Sequence, residues 1–476
     1  MSAEHVSSGN AKYTWSEVSR AEPPTRAAGE RVADFLEIYG PYDEGTAREQ
    51  ASRCIQCPSP ACVTGCPLDS RIPQWLALTA DGQFLEAAEL MLADGMPEIH
   101  ARVCVGERNC EAACLLGAKS EPVPISSIGH FLLDYAWKHG VTDTPVALPK
   151  GQRVAVIGSG LCGLVGADEL SRLGYRVAVI DSHAKPGGRL VNGLPGFRIN
   201  RSLVERRVEL LKQRGVEFRL GIAWGSDVTL ASLQREFDAV FFGWGRAEIV
   251  PLEIPGAALQ GVHQAYPFVL QHTAGLDFKA PPVDVHGRRV AVLGGGDTAM
   301  DTARIAVRLG ASKVVCIYRR DAARMPASPR EFEHAQEEGV QFLFLSNPVE
   351  IVGNAAGQVT HVRCLRVALE SPDDAGRGRA LSVAGSEFDV PADRVLVAYG
   401  FAPPRLPATG GFEGLRTDER GCLVVDADQM TTIPGVFAGG SIVRGPIPLV
   451  DAVRDARKAA AGIDRYLTAH TPMRNR

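Results

Sequence analysis

The sequence predicts an α/β chain in which a small helical domain rich in cysteines precedes two Rossmann-like domains. Three observations carry this. Seven of the eleven cysteines fall in the first quarter of the 476 residues. Between residues 31 and 140 the apolar residues recur at helical rather than alternating spacing. Beyond residue 150, one pattern of strand, glycine turn, helix and strand occurs twice.

Composition sets the frame. At 476 residues there is room for about three domains. With 45% hydrophobic and 22% charged residues the chain reads as a globular protein, and a net charge of −4 gives no reason to invoke nucleic acid or a membrane surface. Residues 1–30 are polar, and no run of eighteen apolar residues occurs, so a cytoplasmic location is expected. In that reducing compartment thiols do not persist as disulfides, and a dense cysteine cluster there binds metal.

The helical domain is assigned to residues 1–150, with helical periodicity in FLEIYG (35–40), REQASRC (48–54), IPQWLALTADGQFLEAAELMLADG (72–95) and IGHFLLDYAWKHG (128–140). The segment TDTPVALPKGQ (142–152), with two prolines and a glycine, marks its end. Two dinucleotide-binding units follow, in VAVIGSGLCGLVGADELSRLGYRVAVID (154–181) and VAVLGGGDTAMDTARIAVRLGASKVVCIYRR (290–320). The hydrophilic stretch 371–388 reads as a long hairpin tip. Strand DRVLVAYG (393–400) then leads to CLVVDADQMTTIPGVFAGGS (422–441) and a final helix, VDAVRDARKAAAGIDRYL (450–467).

In the first unit Gly158, Gly160 and Gly163 form G-x-G-x-x-G between a strand and a helix. The first glycine permits the tight turn, the second lets backbone approach a pyrophosphate, and the third lets helix pack on strand. Asp181, at the end of the next strand, supplies a carboxylate for a ribose diol. In the second unit Gly294 and Gly296 occupy the same turn, with Asp297 after them, and the following strand ends in Arg319 and Arg320. Guanidinium groups there grip a 2′-phosphate where a carboxylate would favour the unphosphorylated dinucleotide, so NADPH is expected over NADH.

The cysteines run Cys54-x2-Cys57-x4-Cys62-x3-Cys66, then Cys104-x5-Cys110-x3-Cys114. Seven soft thiolates nearly complete two four-iron clusters, which need eight ligands. Zinc is the competing reading, but structural zinc sites tend to use paired C-x2-C knuckles. The scattered Cys162, Cys316, Cys364 and Cys422 read as small buried residues.

The order of these motifs, with CIQCPSPACVTGCPLDSRIPQWLALTADGQFLEAAEL, ARVCVGERNCEAACLLG, VAVIGSG, GGGDTAMD, YRRDAARMPAS and GVFAGGSIVRGPIPLVDAV, resembles the small (beta) subunits of bacterial NADPH-dependent glutamate synthase from about residue 30 onward. A similar module occurs in dihydropyrimidine dehydrogenase and in small subunits of ferredoxin:NADP transhydrogenases. The resemblance implies an FAD domain of glutathione-reductase type at 151–254 and 401–476, with Gly188, Gly440 and Ser441 added to its flavin site, and an NADPH domain at 255–400. It implies [4Fe-4S] clusters held by Cys54, Cys57, Cys62 and Cys114, and by Cys66, Cys104 and Cys110.

The sequence departs from that family in three places. The family's fourth ligand to the second cluster is a Glu or Gln where this chain has Gly129. Either His130 substitutes by a one-residue shift, or the cluster is incomplete. Ser441 stands where the family's flavin motif has Asp, which weakens the expected hold on FAD. Trp244 ends the strand DAVFFGWG (238–245), a position read as packing. Three functions follow in order of preference. The first is the electron-input subunit of glutamate synthase, serving a large FMN- and amidotransferase-containing partner that makes glutamate from glutamine and 2-oxoglutarate. The second is a related subunit serving ferredoxin or a pyrimidine-reducing partner. The third is an assembly subunit that has lost a cofactor. Nicotinamide, flavin and clusters carry the chemistry in the first two, so no catalytic acid or base is assigned.

Overall fold

The computed structural model describes residues 11–141, 146–245, 248–273, 281–370, 379–403, 411–412 and 414–470. The strands Arg153–Ile157, Arg176–Asp181 and Ala239–Phe242 are almost wholly apolar and buried along their length, as strands covered on both faces must be. They lie in a five-stranded parallel sheet. Its order is Val436–Ala438, Ala239–Phe242, Arg153–Ile157, Arg176–Asp181, Glu217–Leu220.

A second parallel sheet repeats the plan, in the order Val262–Gln264, Arg394–Val397, Arg289–Leu293, Lys313–Ile317, Gln341–Leu343. The chain leaves the first sheet after Phe242, builds the second, and returns to add Val436–Ala438 to the first. Outgoing and returning segments pair as a two-stranded antiparallel ribbon, Glu248–Ile249 with Phe401–Ala402. An antiparallel extension, centred on Val359–Leu369 between Ser346–Gly353 and Phe388–Pro391, adjoins the second sheet. Val359–Leu369 also pairs antiparallel with Ala380–Ser382; residues 371–378 of the expected hairpin tip lie outside the described residues.

The N-terminal part is helical. Helices Glu44–Ser52, Ile72–Ala80, Phe84–Leu92 and Ile125–Lys138 enclose a core of Trp75, Leu76, Phe84, Ile128, Phe131 and Leu132. Phe84 meets Phe131 edge to face at 5.0 Å. The apolar stretch 72–95 breaks into two helices at Asp81-Gly82, where Gly82 takes φ +80°. The expectation for FLEIYG is wrong: residues 35–40 are extended and bent, because Tyr39 bridges to Thr25 and Gly40 donates to Pro24, and Pro41 follows. Its apolar side chains serve as separate anchors, Ile38 entering the core of the second sheet and Phe35 stacking at 6.2 Å on Phe197. Among the described residues no helix is long and apolar enough to cross a membrane.

Candidate cofactor sites

At the carboxyl end of the first sheet the chain makes a cradle of glycines, most of which leave no room for a side chain. Gly158 takes φ +96°, and a Cβ there would lie 2.9 Å from Trp244 Cα. A Cβ on Gly163 would lie 1.8 Å from the Gly158 carbonyl oxygen. Gly160 faces open space and caps helix Leu161–Arg172, whose first amides point outward. Gly188, at φ +51°, closes over this turn, so near that a Cβ would stand 2.8 Å from Gly160 Cα. Gly440, at φ +76°, approaches from the other side against Cys162 Sγ, and Ser441 faces the end of the neighbouring strand at Gly245. The five glycines and Ser441 therefore meet at one place.

Asp181 reaches the same cradle, with all its acceptor positions in use. Its Oδ2 accepts from the Ser159 amide at 2.6 Å and from Ser159 Oγ at 2.7 Å. Its Oδ1 accepts from the His183 amide at 2.8 Å and pairs with His183 Nδ1 at 2.9 Å. Burial pushes the carboxyl up, but the bonds from His183 and Ser159 outweigh it and hold it at about 2. A ribose diol entering here must take the place of Ser159 Oγ or the His183 ring. Beneath the other wall lies a residue that sequence reasoning missed. Asp455, fully buried on the C-terminal helix, accepts from the Gly440 amide at 3.1 Å and from Arg444 Nε at 2.7 Å. The available signal was an acid on the apolar face of an amphipathic helix.

The second turn is built alike. Gly294 takes φ +144°, with a Cβ there meeting the Ala398 carbonyl at 2.4 Å, and Gly295 lies under the Tyr318 ring. Gly296 is open but for Pro326 at 4.0 Å. Asp297 Oδ1 accepts from the Ser328 amide at 2.8 Å, so it ties the turn to the segment that follows the next strand. Arg319 is exposed, and Arg320 Nε is buried without a hydrogen-bond partner among the described residues, available to an anion.

None of the eleven cysteines is disulfide-bonded. Cys54, Cys57, Cys62 and Cys114 line one recess of about 370 Å³ with Leu76, Leu115 and Ile125. Cys66, Cys104 and Cys110 form the other set, each near enough to oppose ionisation of the next. Burial pushes Cys54 up to about 11 and Cys62 and Cys104 to about 12, so these thiolates require a positive group among them. No three His, Cys, Asp or Glu side chains among the described residues converge on a single ion. Soft thiolates lining one recess suit an iron–sulfur cluster, in which each iron takes one of them. Asn109 Nδ2 lies 3.7 Å from Cys104 Sγ and Gln56 Nε2 lies 3.4 Å from Cys54 Sγ, donors placed to bond the sulfurs of a cluster held there.

At the departure from the family pattern, Gly129 is buried against Met91, whose Cε would stand 3.0 Å from a Cβ on Gly129. That place is filled by Met91. His130 lines an open cleft that Cys104 also lines, and its Nε2 lies 3.2 Å from Asp134 Oδ2.

Comparison with known proteins bears on this arrangement. Residues 145–459 match the model of the pyridine nucleotide-disulphide oxidoreductase family, and residues 31–141 match dihydropyrimidine dehydrogenase domain II, 4Fe-4S cluster. The glutamate synthase [NADPH] small chain of Escherichia coli is 40% identical over 96% of this chain and 98% of its own. The chain belongs to the glutamate synthase small chain family. It is accordingly an NADPH-dependent flavoprotein oxidoreductase whose cofactors are FAD, NADPH and 4Fe-4S iron–sulfur. The small chain of Azospirillum brasilense is also 40% identical, over 94% of each chain. A putative oxidoreductase of E. coli, AegA, is 40% identical over 94% of this chain and 70% of its own. Among solved structures, Mycobacterium tuberculosis FprA in complex with NADPH shares the fold, with a TM-score of 0.57, 21% identity, and coverage of 67% of this small chain and 85% of FprA.

Proposed function

We propose that this small chain is the electron-input subunit of a glutamate synthase. Residues 151–254 and 401–476 form its FAD unit, 255–400 its NADPH unit and 1–150 its iron–sulfur domain. FAD lies in the cradle of Gly158, Gly160, Gly163, Asp181, Gly188, Gly440 and Ser441. NADPH lies on Gly294, Gly296 and Asp297, with Arg319 and Arg320 toward the 2′-phosphate. A large partner carrying FMN and an amidotransferase makes glutamate from glutamine and 2-oxoglutarate. Once bound, the cofactors supply hydride acceptance and one-electron transfer; the protein binds, orients and shields them.

One observation carries the reading, namely the relative placement of the two cysteine sets. Cys66 and Cys104 pack against the core that lies beneath the first glycine turn, Cys66 touching the helical core as well, whereas Cys54, Cys62, Cys110 and Cys114 belong to the helical core alone. Through Cys66 and Cys104 the set completed by Cys110 is the inner one, and the set of Cys54, Cys57, Cys62 and Cys114 the outer. His130 is the proposed fourth ligand of the inner set. Its Nε2 pairing with Asp134 leaves Nδ1 for iron, the carboxylate–histidine arrangement that metal-binding imidazoles adopt. A reducing cytoplasm is the compartment in which cysteines stay available to clusters rather than pairing as disulfides.

The test is anaerobic purification followed by assay of flavin, iron and sulfide and of the visible spectrum with NADPH. One FAD and about eight irons, four per cluster, with bleaching by NADPH, is the expected result. About four irons would remove the inner cluster, and absence of flavin would overturn the reading. Isolation with a large amidotransferase-containing chain distinguishes this function from the second reading, favoured by the extent of the match to AegA, in which the module serves another acceptor.

A further inference from the structure

The segment Met325–Ser328, part of YRRDAARMPAS, has no part in the function described so far, yet it stands between the two kinds of site. On one side it meets the loop from Cys104 to Cys110. Arg108 Nη1 donates to the Pro326 carbonyl at 2.9 Å, and Nη2 donates to the carbonyls of Ala327 and, at 3.4 Å, Met325. Glu107 Oε1 accepts from Ser328 Oγ at 2.6 Å. On its other side the segment holds the second glycine turn. The Ala327 amide donates to the Gly295 carbonyl at 3.0 Å, and the Ser328 amide to Asp297 Oδ1 at 2.8 Å. Pro326 is the nearest neighbour of the open face of Gly296.

Residue 327 thus accepts from the cysteine loop through its carbonyl and donates to the dinucleotide turn through its amide. Met325, Ala327 and Ser328 are buried, so the segment cannot swing freely between its two sets of partners. The cysteine loop is itself anchored. Glu111 Oε1 accepts from the Ser126 amide at 2.9 Å, Oε2 from Arg20 at 3.0 Å, and Gly106 sits so close to Ser126 Oγ that a Cβ would stand 2.0 Å from it. A rearrangement at Cys104 or Cys110 is therefore passed to Glu107 and Arg108 rather than absorbed at the base of the loop.

We propose that Glu107 and Arg108 are positioning residues through which the inner cysteine loop orders the dinucleotide turn, so that building the inner cluster and binding NADPH favour one another. This rests on the proposed assignment of those two ligands. Metal binding orders the chain that carries its ligands, an ordered turn binds pyrophosphate without a further loss of entropy, and coupling between two binding events is reciprocal.

The test uses NADP⁺, which binds without transferring a hydride, and the full chain purified anaerobically with FAD and iron counted. Calorimetric titration is expected to show Arg108→Ala binding NADP⁺ about tenfold more weakly at unchanged FAD content. Arg108→Lys keeps the charge without spanning three carbonyls and is expected to fall between. In the unmutated protein, saturating NADP⁺ is expected to slow release of inner-cluster iron to a chelator, and in Arg108→Ala to leave that release unchanged. A general loosening of the structure would weaken NADP⁺ binding without abolishing that protection. Equal affinity in all three proteins, or no protection in the unmutated one, overturns the proposal. Failure of the unmutated protein to bind NADP⁺ overturns the nucleotide assignment instead. If Arg108→Ala loses its FAD, Arg108→Lys and the protection of the unmutated protein decide.

Discussion

Gly160 and Gly163 look alike in the motif but answer to different demands. Gly163 has no room for a methyl group, because its Cβ would stand 1.8 Å from backbone oxygen on Gly158. Gly163→Ala must push the helix from the strand, at about 1–3 kcal/mol, and is expected to lower the urea midpoint and release FAD together. Gly160 has φ −70° and open space on its Cβ side. Gly160→Ala should therefore change stability by less than about 0.5 kcal/mol while lowering flavin retention, since the methyl fills only the approach of the pyrophosphate. Equal flavin content in Gly160→Ala and the unmutated protein would count against the cradle. Arg320 poses the same kind of question for the second turn. Its Nε is buried and unpartnered among the described residues, so Arg320→Ala breaks no hydrogen bond at Nε in the free fold but removes a charge-assisted bond to a 2′-phosphate. Preference for NADPH over NADH should fall about tenfold or more, as loss of 1.5–3 kcal/mol requires; an unchanged ratio of kcat/KM values would reassign the strand end.

The C-terminal helix Leu449–His470 shows why an element can be legible while its role is not. Val450, Val453, Ala456, Ala459, Ala460, Ile463 and Leu467 form its buried stripe, which the sequence displays at helical spacing. Asp455 lies within that stripe, and its purpose depends on Gly440 and Arg444 arriving from another part of the chain. Asp455→Ala leaves the Gly440 amide buried and unpaired, so a loss of roughly 2 kcal/mol and easier release of FAD on gel filtration are expected. Asp455→Asn retains an acceptor and should recover part of both. The same division holds elsewhere. Strands such as RVAVI, and the glycine turns that end them, are set by local pattern and appear where the sequence places them. FLEIYG has a helical spacing of apolar residues yet is no helix, because Ile38 and Phe35 are claimed by partners far along the chain. Arg108 meets Ala327 and Glu107 meets Ser328 at separations of 219 and 221 positions, pairings that no spacing rule exposes, and their loops were legible only as motifs of unstated purpose.

At the scale of the molecule, a buried ionic network ties three stretches of chain into one body. Arg31 from the N-terminal segment meets Glu338 at 2.9 Å, Arg304 meets Glu338 at 2.9 Å, and Arg198 from the first half meets Asp301 at 3.0 Å and Glu331 at 3.3 Å. Tyr39 Oη and His334 Nε2 lie 2.7 Å apart beside it. Two members titrate in opposite senses. Burial, with Arg304 and Arg31 nearby, pushes His334 down to about 3, while burial pushes Asp301 up to about 6 against the pull of Arg198. As pH falls below the ordinary histidine value of 6.5, the unfolded chain takes up a proton that His334 refuses, and stability falls by about 1.4 kcal/mol per pH unit. Between about 6 and the ordinary 3.8, folded Asp301 holds a proton that the unfolded chain lacks, and stability rises at the same rate. The two contributions cancel across that window, so the junction between the halves is buffered against acid. His334→Gln should make the protein gain stability relative to the unmutated chain by about one proton's slope as pH falls from 6 to 4, and Asp301→Asn should make it lose stability at that slope. Urea unfolding at half-unit intervals of pH reads both, and parallel curves for the three proteins would show that neither group is held in the protonation state this network imposes.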